Sequence, residues 1–385
     1  MAVITAAMQI PFAKPHLSGA EGALVAEVIA SGWVSQGPKV REFEQAFAAR
    51  VGAAEAVATT NCTTALALAL HVVGVGRGDE VVVPSLSFIA TANSVWHCGA
   101  TPVFADVDPD TYNLDPDAAE GAITPRTKVV MPVHQVGLPA DMDRFLALGE
   151  RHGIAIVEDA ACAIGATYKG RAVGSMGPLA CFSLHPRKVI TTGEGGMITL
   201  NDPAIAERLR RLRAHAMDVS DLARHTAKDV VIERYPERGW NARMTDMQAQ
   251  LGLCQLECLD WILARRRELA ERYGAAIAHV PSLDTPFDPE HAVRTWQSYC
   301  VRVNARSPIG RTELMRRLLH DGIPTRRGVM TIHEEAAYVG TAVSLPHSEA
   351  AARDVLMLPL FPDMTREQQD HVLERLTVHA IRAAA

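Results

Sequence analysis

The chain has 385 residues, longer than one ordinary domain, so two domains sharing a cleft are expected. At 48% hydrophobic and 21% charged residues it has the make-up of a globular protein able to bury a large core. A formal net charge of −6 and the lack of any long basic run exclude an obvious nucleic-acid partner; the arginines at 208–213 read as one helix face. No apolar run is long enough to cross a bilayer, so no membrane partner is expected. Residues 1–8 lack the basic flank and apolar stretch of a signal peptide. The seven cysteines are scattered and odd in number, without a Cys-x-x-Cys pair, and Cys254 and Cys258 have no histidines at zinc spacing. They read as reduced, mostly buried thiols of a cytoplasmic protein with no metal site.

In chain order, residues 63–73 predict a helix, 80–84 a strand, 91–98 a helix, and 102–106 and 128–133 strands. Asp141 caps a helix running to about Arg151, and residues 154–158 form another strand. This alternation predicts an α/β large domain with a mainly parallel sheet between helices. Ligands of such sheets bind beyond the carboxyl ends of the strands, where Asp159 and residues 84–88 fall. After Arg243 the character changes. A long helix is predicted from 245 to about 273, then a Pro- and Asp-rich connection at 281–289, a strand at 298–303 and helices at 311–321 and 366–376. These make a smaller C-terminal α+β domain. The boundary is placed inside the long helix near Leu251, which gives 1–250 and 251–385. The alanine-rich tail, residues 380–385, reads as a frayed end.

Chemistry concentrates around Lys188. It follows a short apolar run and precedes the glycine-rich stretch Thr191-Thr-Gly-Glu-Gly-Gly196, which can bend tightly around it. The apolar run 154–157 ends in Glu158-Asp159. A lysine on a loop at one strand end and an acid at another suit pyridoxal phosphate (PLP): the amine forms a Schiff base and the carboxylate keeps the pyridine nitrogen protonated. Loss of solvation in a cleft would favour the neutral, nucleophilic amine. Asp159, one step past the strand, is the expected partner, with Glu158 as competitor. Residues 60–65 precede a helix and offer hydroxyls and free N–H groups to a phosphate. Ser183 can add a hydroxyl, and Phe88 can stack on the ring. Each of these has an ordinary structural explanation when taken alone.

Together these residues resemble the DegT/DnrJ/EryC1/StrS aminotransferases, sugar aminotransferases of the fold-type I PLP superfamily. The resemblance runs from about Ile10 to Leu376 and rests on residues 32–38, 61–66, 84–91, 158–160, 183–196 and 239–245 in that order. It implies that Lys188 is the Schiff-base lysine and proton shuttle and that Asp159 pairs with the pyridine nitrogen. Cys62, Thr63 and Ser183 would hold the phosphate, and Phe88 would stack on the ring. Asn241 would reach a neighbouring subunit's phosphate, which implies a homodimer with shared active sites. Three positions depart from the family pattern. Cys162 stands where Gln or His usually supports the cofactor hydroxyl. Asn61-Cys62-Thr63 replaces the frequent Ser-Gly-Thr. Residues 325–333 lack the usual proline before His333. Trp33, His333 and Arg326 are substrate candidates, and Arg327 is a further anion ligand candidate.

The implied reaction is a two-stage, ping-pong transamination from L-glutamate to a keto sugar, carried on a nucleotide, giving an amino sugar. The rival acceptor is an aminocyclitol ketone with L-glutamine as donor. A dehydratase branch resembles a version with histidine at the lysine position, so Lys188 argues against it. A PLP-binding regulator without turnover is disfavoured by Lys188, Asp159 and the lack of an appended DNA-binding module.

Overall fold

The computed structural model describes residues 10–219, 224, 227–340 and 343–381. Residues 1–8 and the tail alanines 383–385 lie outside that set. The central sheet uses β1 (Glu55–Thr59), β2 (Glu80–Pro84), β3 (Thr101–Ala105), β4 (Thr127–Val130) and β5 (Ala155–Asp159). Past the two-residue strands β6 (Thr167–Tyr168) and β7 (Arg171–Ala172) it adds β8 (Leu179–Ser183) and β9 (Gly196–Leu200). The order is β1-β9-β8-β5-β4-β2-β3. Neighbours are parallel except at β9, which runs against both β1 and β8.

Both faces of this sheet are buried, and the strand period sorts its residues between them. Val57, Val81, Val83 and Val157 pack in one core with Leu66, Leu70, Leu209 and Leu212. Their strand neighbours turn the other way: Ala56, Ala58 and Phe182 meet Phe43 and Phe47, and Val82 and Ile156 meet Phe145 and Leu148. The helices that supply these residues follow from local signals. α1 (Glu21–Ser31) and α2 (Pro38–Val51) precede β1. α3 (Cys62–Val72) is capped by Asn61, whose side chain accepts from Thr64 N–H. α4 (Ala90–His97) and α5 (Pro116–Gly121) follow β2 and β3. α6 (Met142–His152) is capped by Asp141 as expected and stopped by Gly153 at φ 63°. α7 (Pro203–Leu212) follows β9.

A second, antiparallel sheet has the order β10-β12-β14-β13, from β10 (Leu283–Asp284), β12 (Tyr299–Val303), β13 (Arg326–Arg327) and β14 (Val355–Leu358). β11 (Ala292–Val293) pairs instead with β6 of the first half. The helix expected from 245 to 273 is two helices, Asp246–Glu257 and Leu259–Ile277, separated at Cys258. No glycine or proline marks that break. The two cores also change over later than residue 251: Leu259 and Ile262 belong with Phe43, whereas Leu269 and Tyr273 belong with Tyr299 and Leu376.

Asp246 ties the second half to the first. Its buried carboxylate accepts from the N–H groups of Gly37, Lys39 and Val40 at 2.7, 3.1 and 3.0 Å, and so caps α2 from a distant part of the chain. Asp246→Ala leaves three donors at a helix start without that acceptor. It is expected to destabilise the protein by about 2–4 kcal/mol, read as a lower denaturation midpoint at unchanged slope.

Candidate active site

The expected site residues gather at one edge of the central sheet, the edge at which the parallel strands end. Asp159 is the last residue of β5 and Ser183 the last of β8. Cys62 and Thr63 open α3 just after β1, and Phe88 lies on the loop leaving β2. β9 starts from the same edge at Gly196, which pairs with Ser183. Gly196 must be glycine, because a Cβ there would run into the Asn61 backbone and the Thr59 hydroxyl. That close approach sets the 61–63 turn against the β8 end.

Alternation along β5 separates the two acids. Glu158 faces away from Lys188 and is fully buried. It accepts from Gly177 N–H at 2.9 Å and faces His134 Nε2 at 2.9 Å. His134 Nδ1 accepts from Ala140 N–H, so the ring proton sits on Nε2, towards Glu158. Asp159 faces the lysine side. Its carboxylate accepts from Thr91 Oγ1 at 2.8 Å and Ala161 N–H at 3.2 Å. Burial pushes the Asp159 carboxyl above its ordinary value, against the opposing effects of Thr91, Ala161, Lys188 and His134.

Lys188 Nζ lies 3.1 Å from Cys162 Sγ. Burial acts to lower the amine, but Cys162 and Asp159 outweigh it, so the amine is held above its ordinary value. This corrects the expectation that loss of solvation alone makes it neutral: the Cys162 sulfur that accepts from the amine and the Asp159 carboxylate favour the charged form by more than burial disfavours it. Cys62 and Cys181 are both driven well up, by burial first and then by Asp159. They are therefore thiols, not thiolates, beside the site.

The outer residues divide. Phe88 is 67% exposed, with an open face on the cleft loop. Asn241 is exposed, its backbone bridges Ala214, and the next residue's carbonyl takes Thr60 N–H at 3.1 Å. Trp33 packs against Gly37 at the start of α2. The Arg326 guanidinium lies over the Phe12 ring at 5.2 Å, and Arg187, next to Lys188, lies over the same ring at 5.5 Å. Arg327 is paired with Glu335 at 2.8 Å. His333 turns towards groups of the chain itself. It is buried, Nδ1 is 2.6 Å from Ser85 Oγ and Nε2 is 3.5 Å from Glu349, so both ring nitrogens are engaged within the chain. The turn Ile332–Glu334 docks on the end of β2 through Ile332 N–H to Ser85 O, and His333 pins that contact. Sequence reading missed Thr91, His134 and Cys181. The only sequence signal for Thr91 was its position, four residues after Ser87 at a helix start.

PLP fits this arrangement. An amine and a carboxylate lie close enough to act on each other, and the Cys62 and Thr63 N–H groups start a helix where no intrahelical acceptor reaches them. A separate cavity of about 550 Å³, lined by Gln36, Arg41, Glu44, Arg210 and Arg213 among others, contains none of these residues. Among the described residues no cluster of His, Cys, Asp and Glu is arranged to hold a metal ion, and no helix is long and apolar enough to cross a membrane.

The fold and site define a fold-type I, PLP-dependent aminotransferase. The DegT/DnrJ/EryC1/StrS aminotransferase family pattern matches residues 15–377, and the chain belongs to that family. It is 40% identical over 371 residues to the spore coat polysaccharide biosynthesis protein SpsC of Bacillus subtilis (strain 168), covering 95% of each chain. It is similar to S. venezuelae DesV, solved in complex with a ketimine intermediate, at 37% identity and TM-score 0.88, over 98% of this chain and 100% of that one. It is also similar to DesI, solved in the presence of its TDP-sugar product, at 32% identity and TM-score 0.89, over 97% of this chain and 93% of that one.

Proposed function

We propose that this enzyme moves an amino group from L-glutamate to a keto sugar carried on a nucleoside diphosphate, giving an amino sugar. The observation that carries the reading is the proximity of Lys188 and Asp159, each acting on the other's charge, in a chain of this family. The TDP-sugar product of DesI and the polysaccharide role in the name of SpsC support a sugar acceptor.

When bound, PLP supplies a carbonyl carbon for the amine and a ring that takes up the electron pair left at the substrate carbon. The chain's own groups do the rest. Asp159 holds a proton on the ring nitrogen. The Cys62 and Thr63 N–H groups and the Ser183 hydroxyl bind the phosphate, and Phe88 covers one ring face. Lys188 Nζ, once freed by the incoming amine, takes the proton from the donor's Cα and returns one to the acceptor carbon in the second half. Cys162 Sγ stands beside that nitrogen at 3.1 Å and accepts its hydrogen bond. Trp33 and Arg326 lie on segments that would meet the acceptor.

The active unit in this reading is a homodimer, in which the exposed Asn241 completes the partner's phosphate site. In this reading residues 1–250 hold the cofactor and 251–385 form the smaller part, whose early residues Leu259 and Ile262 still pack on the larger core. All seven cysteines are free, as suits a cytoplasmic location.

The test is a screen of nucleotide-linked keto sugars with ¹⁵N-labelled glutamate. The expected result is labelled amino sugar, 2-oxoglutarate, and parallel double-reciprocal lines. Label arriving only from glutamine onto a cyclitol ketone would support the rival acceptor. PLP binding without turnover of any amino donor would indicate a regulator.

A further inference from the structure

Behind Asp159 stand two buried hydroxyls that none of the roles above uses. Thr91 Oγ1 donates to Asp159 Oδ2 at 2.8 Å, and Ser87 Oγ lies 2.8 Å from Thr91 Oγ1. Thr91 is 1% exposed, Ser87 2% and Asp159 5%, so water does not substitute for these bonds. An ionised carboxylate only accepts. Thr91 has one hydroxyl proton, so that proton points at Asp159, and the Ser87 proton then points at Thr91. The charge on Asp159 fixes the direction of both bonds, and each polarises the next.

The backbone holds the relay rigidly. Ser87 N–H donates to Met330 O at 3.1 Å and Ser85 O at 2.9 Å, and Thr91 N–H donates to Phe88 O at 3.1 Å. Ser85 is itself held by His333 at 2.6 Å. The 330–333 segment thus clamps the loop from which Ser87 and Thr91 reach the acid. The other titratable groups acting on Asp159 are Lys188 from the loop after β8 and His134 from the segment after β4. Cys62 on α3 and Cys181 on β8 also sense it, as neutral thiols. Glu158 is turned away to His134. Of the influences that oppose burial at Asp159, the Thr91 hydrogen bond is the largest.

We propose that Ser87 and Thr91 are positioning residues, a two-hydroxyl relay that keeps Asp159 ionised and fixes the orientation of its carboxylate towards the cofactor's ring nitrogen. The proposal rests on reading Asp159 as the ring-nitrogen partner.

The test uses the full chain and the variants Thr91→Val, Thr91→Ser and Ser87→Ala. Valine keeps the shape of threonine and removes the donor. In the cofactor-free protein, carbon-13 NMR of the Asp159 carboxyl, assigned with Asp159→Asn, should show its titration midpoint moved up in Thr91→Val. The move should be smaller in Ser87→Ala and absent in Thr91→Ser. With PLP bound, Thr91→Val should lower kcat about tenfold at neutral pH with KM for the amino donor little changed, as expected for loss of one charge-assisted hydrogen bond. Its acid limb should lie at higher pH, and serine should restore it. A Thr91→Val protein that titrates and turns over like wild type overturns the relay. So does a Ser87→Ala protein with an unmoved Asp159 midpoint, which remains decisive if the valine variant fails to fold. If instead Asp159→Asn leaves kcat and PLP affinity unchanged, the role given to Asp159 is what fails, and the NMR result still judges the relay separately.

Discussion

Lys188→Ala is expected to lower turnover by about 10⁴-fold or more, close to 5 kcal/mol of barrier, because it removes both the covalent anchor and the proton carrier. Borohydride added to wild-type protein with PLP should fix the cofactor's mass on the peptide that contains Lys188. The alanine variant should carry no such tag. Lys188→Arg separates chemistry from charge: arginine preserves the cation beside Cys162 and Asp159 but neither forms the bond nor gives up its proton. It should therefore fold and bind PLP phosphate while remaining inactive. A tag mapped to another lysine, or an alanine variant within tenfold of wild type, would remove the centre of the functional reading.

Asp159→Asn should separate activity from stability. The asparagine keeps the shape but not the charge, so the ring nitrogen loses its proton partner. kcat should fall about 10³-fold, about 4 kcal/mol. Stability of the cofactor-free protein should move the other way. Burial, opposed by Thr91, Ala161, Lys188 and His134, leaves the native carboxyl above its ordinary value. The native state therefore still holds a proton at pH values where the unfolded chain has released it. Over that window stability falls as pH rises, and above the native midpoint the full penalty remains. Asp159→Asn should melt higher than wild type at neutral pH, and the difference should shrink towards the ordinary carboxylate range. A variant that is both inactive and less stable at neutral pH would mean that the charge is better accommodated than the burial of Asp159 indicates.

Much of the large domain was legible because its signals are local. The strands expected at 80–84, 102–106 and 154–158 correspond to β2, β3 and β5, and the Asp141 cap and Gly153 stop bound α6. The strand expected at 128–133 stops at Val130, two residues before Pro132, which has no N–H to give a ladder. That Glu158 and Asp159 face opposite sides was readable from strand alternation, but which of them faces the lysine was not. The break at Cys258 was not readable. It carries neither glycine nor proline, and it does not coincide with the change of core, since Leu259 and Ile262 beyond it still pack with Phe43 and only Leu269 and Tyr273 join Tyr299.

The functional outline needed little more than spacing: a lysine before a glycine-rich turn, an acid at a strand end and a capped helix start are each written within a few neighbouring residues, and the family follows from their order. The environment of those groups was decided elsewhere. Thr91 meets Asp159 across 68 positions, Asp246 caps α2 across more than 200, and His333 braces Ser85 across 248. Hydrogen bonds and burial depend on which atoms become neighbours in space. The Lys188 amine shows the consequence: burial alone would lower it, and only the placement of Cys162 and Asp159 around it holds it up.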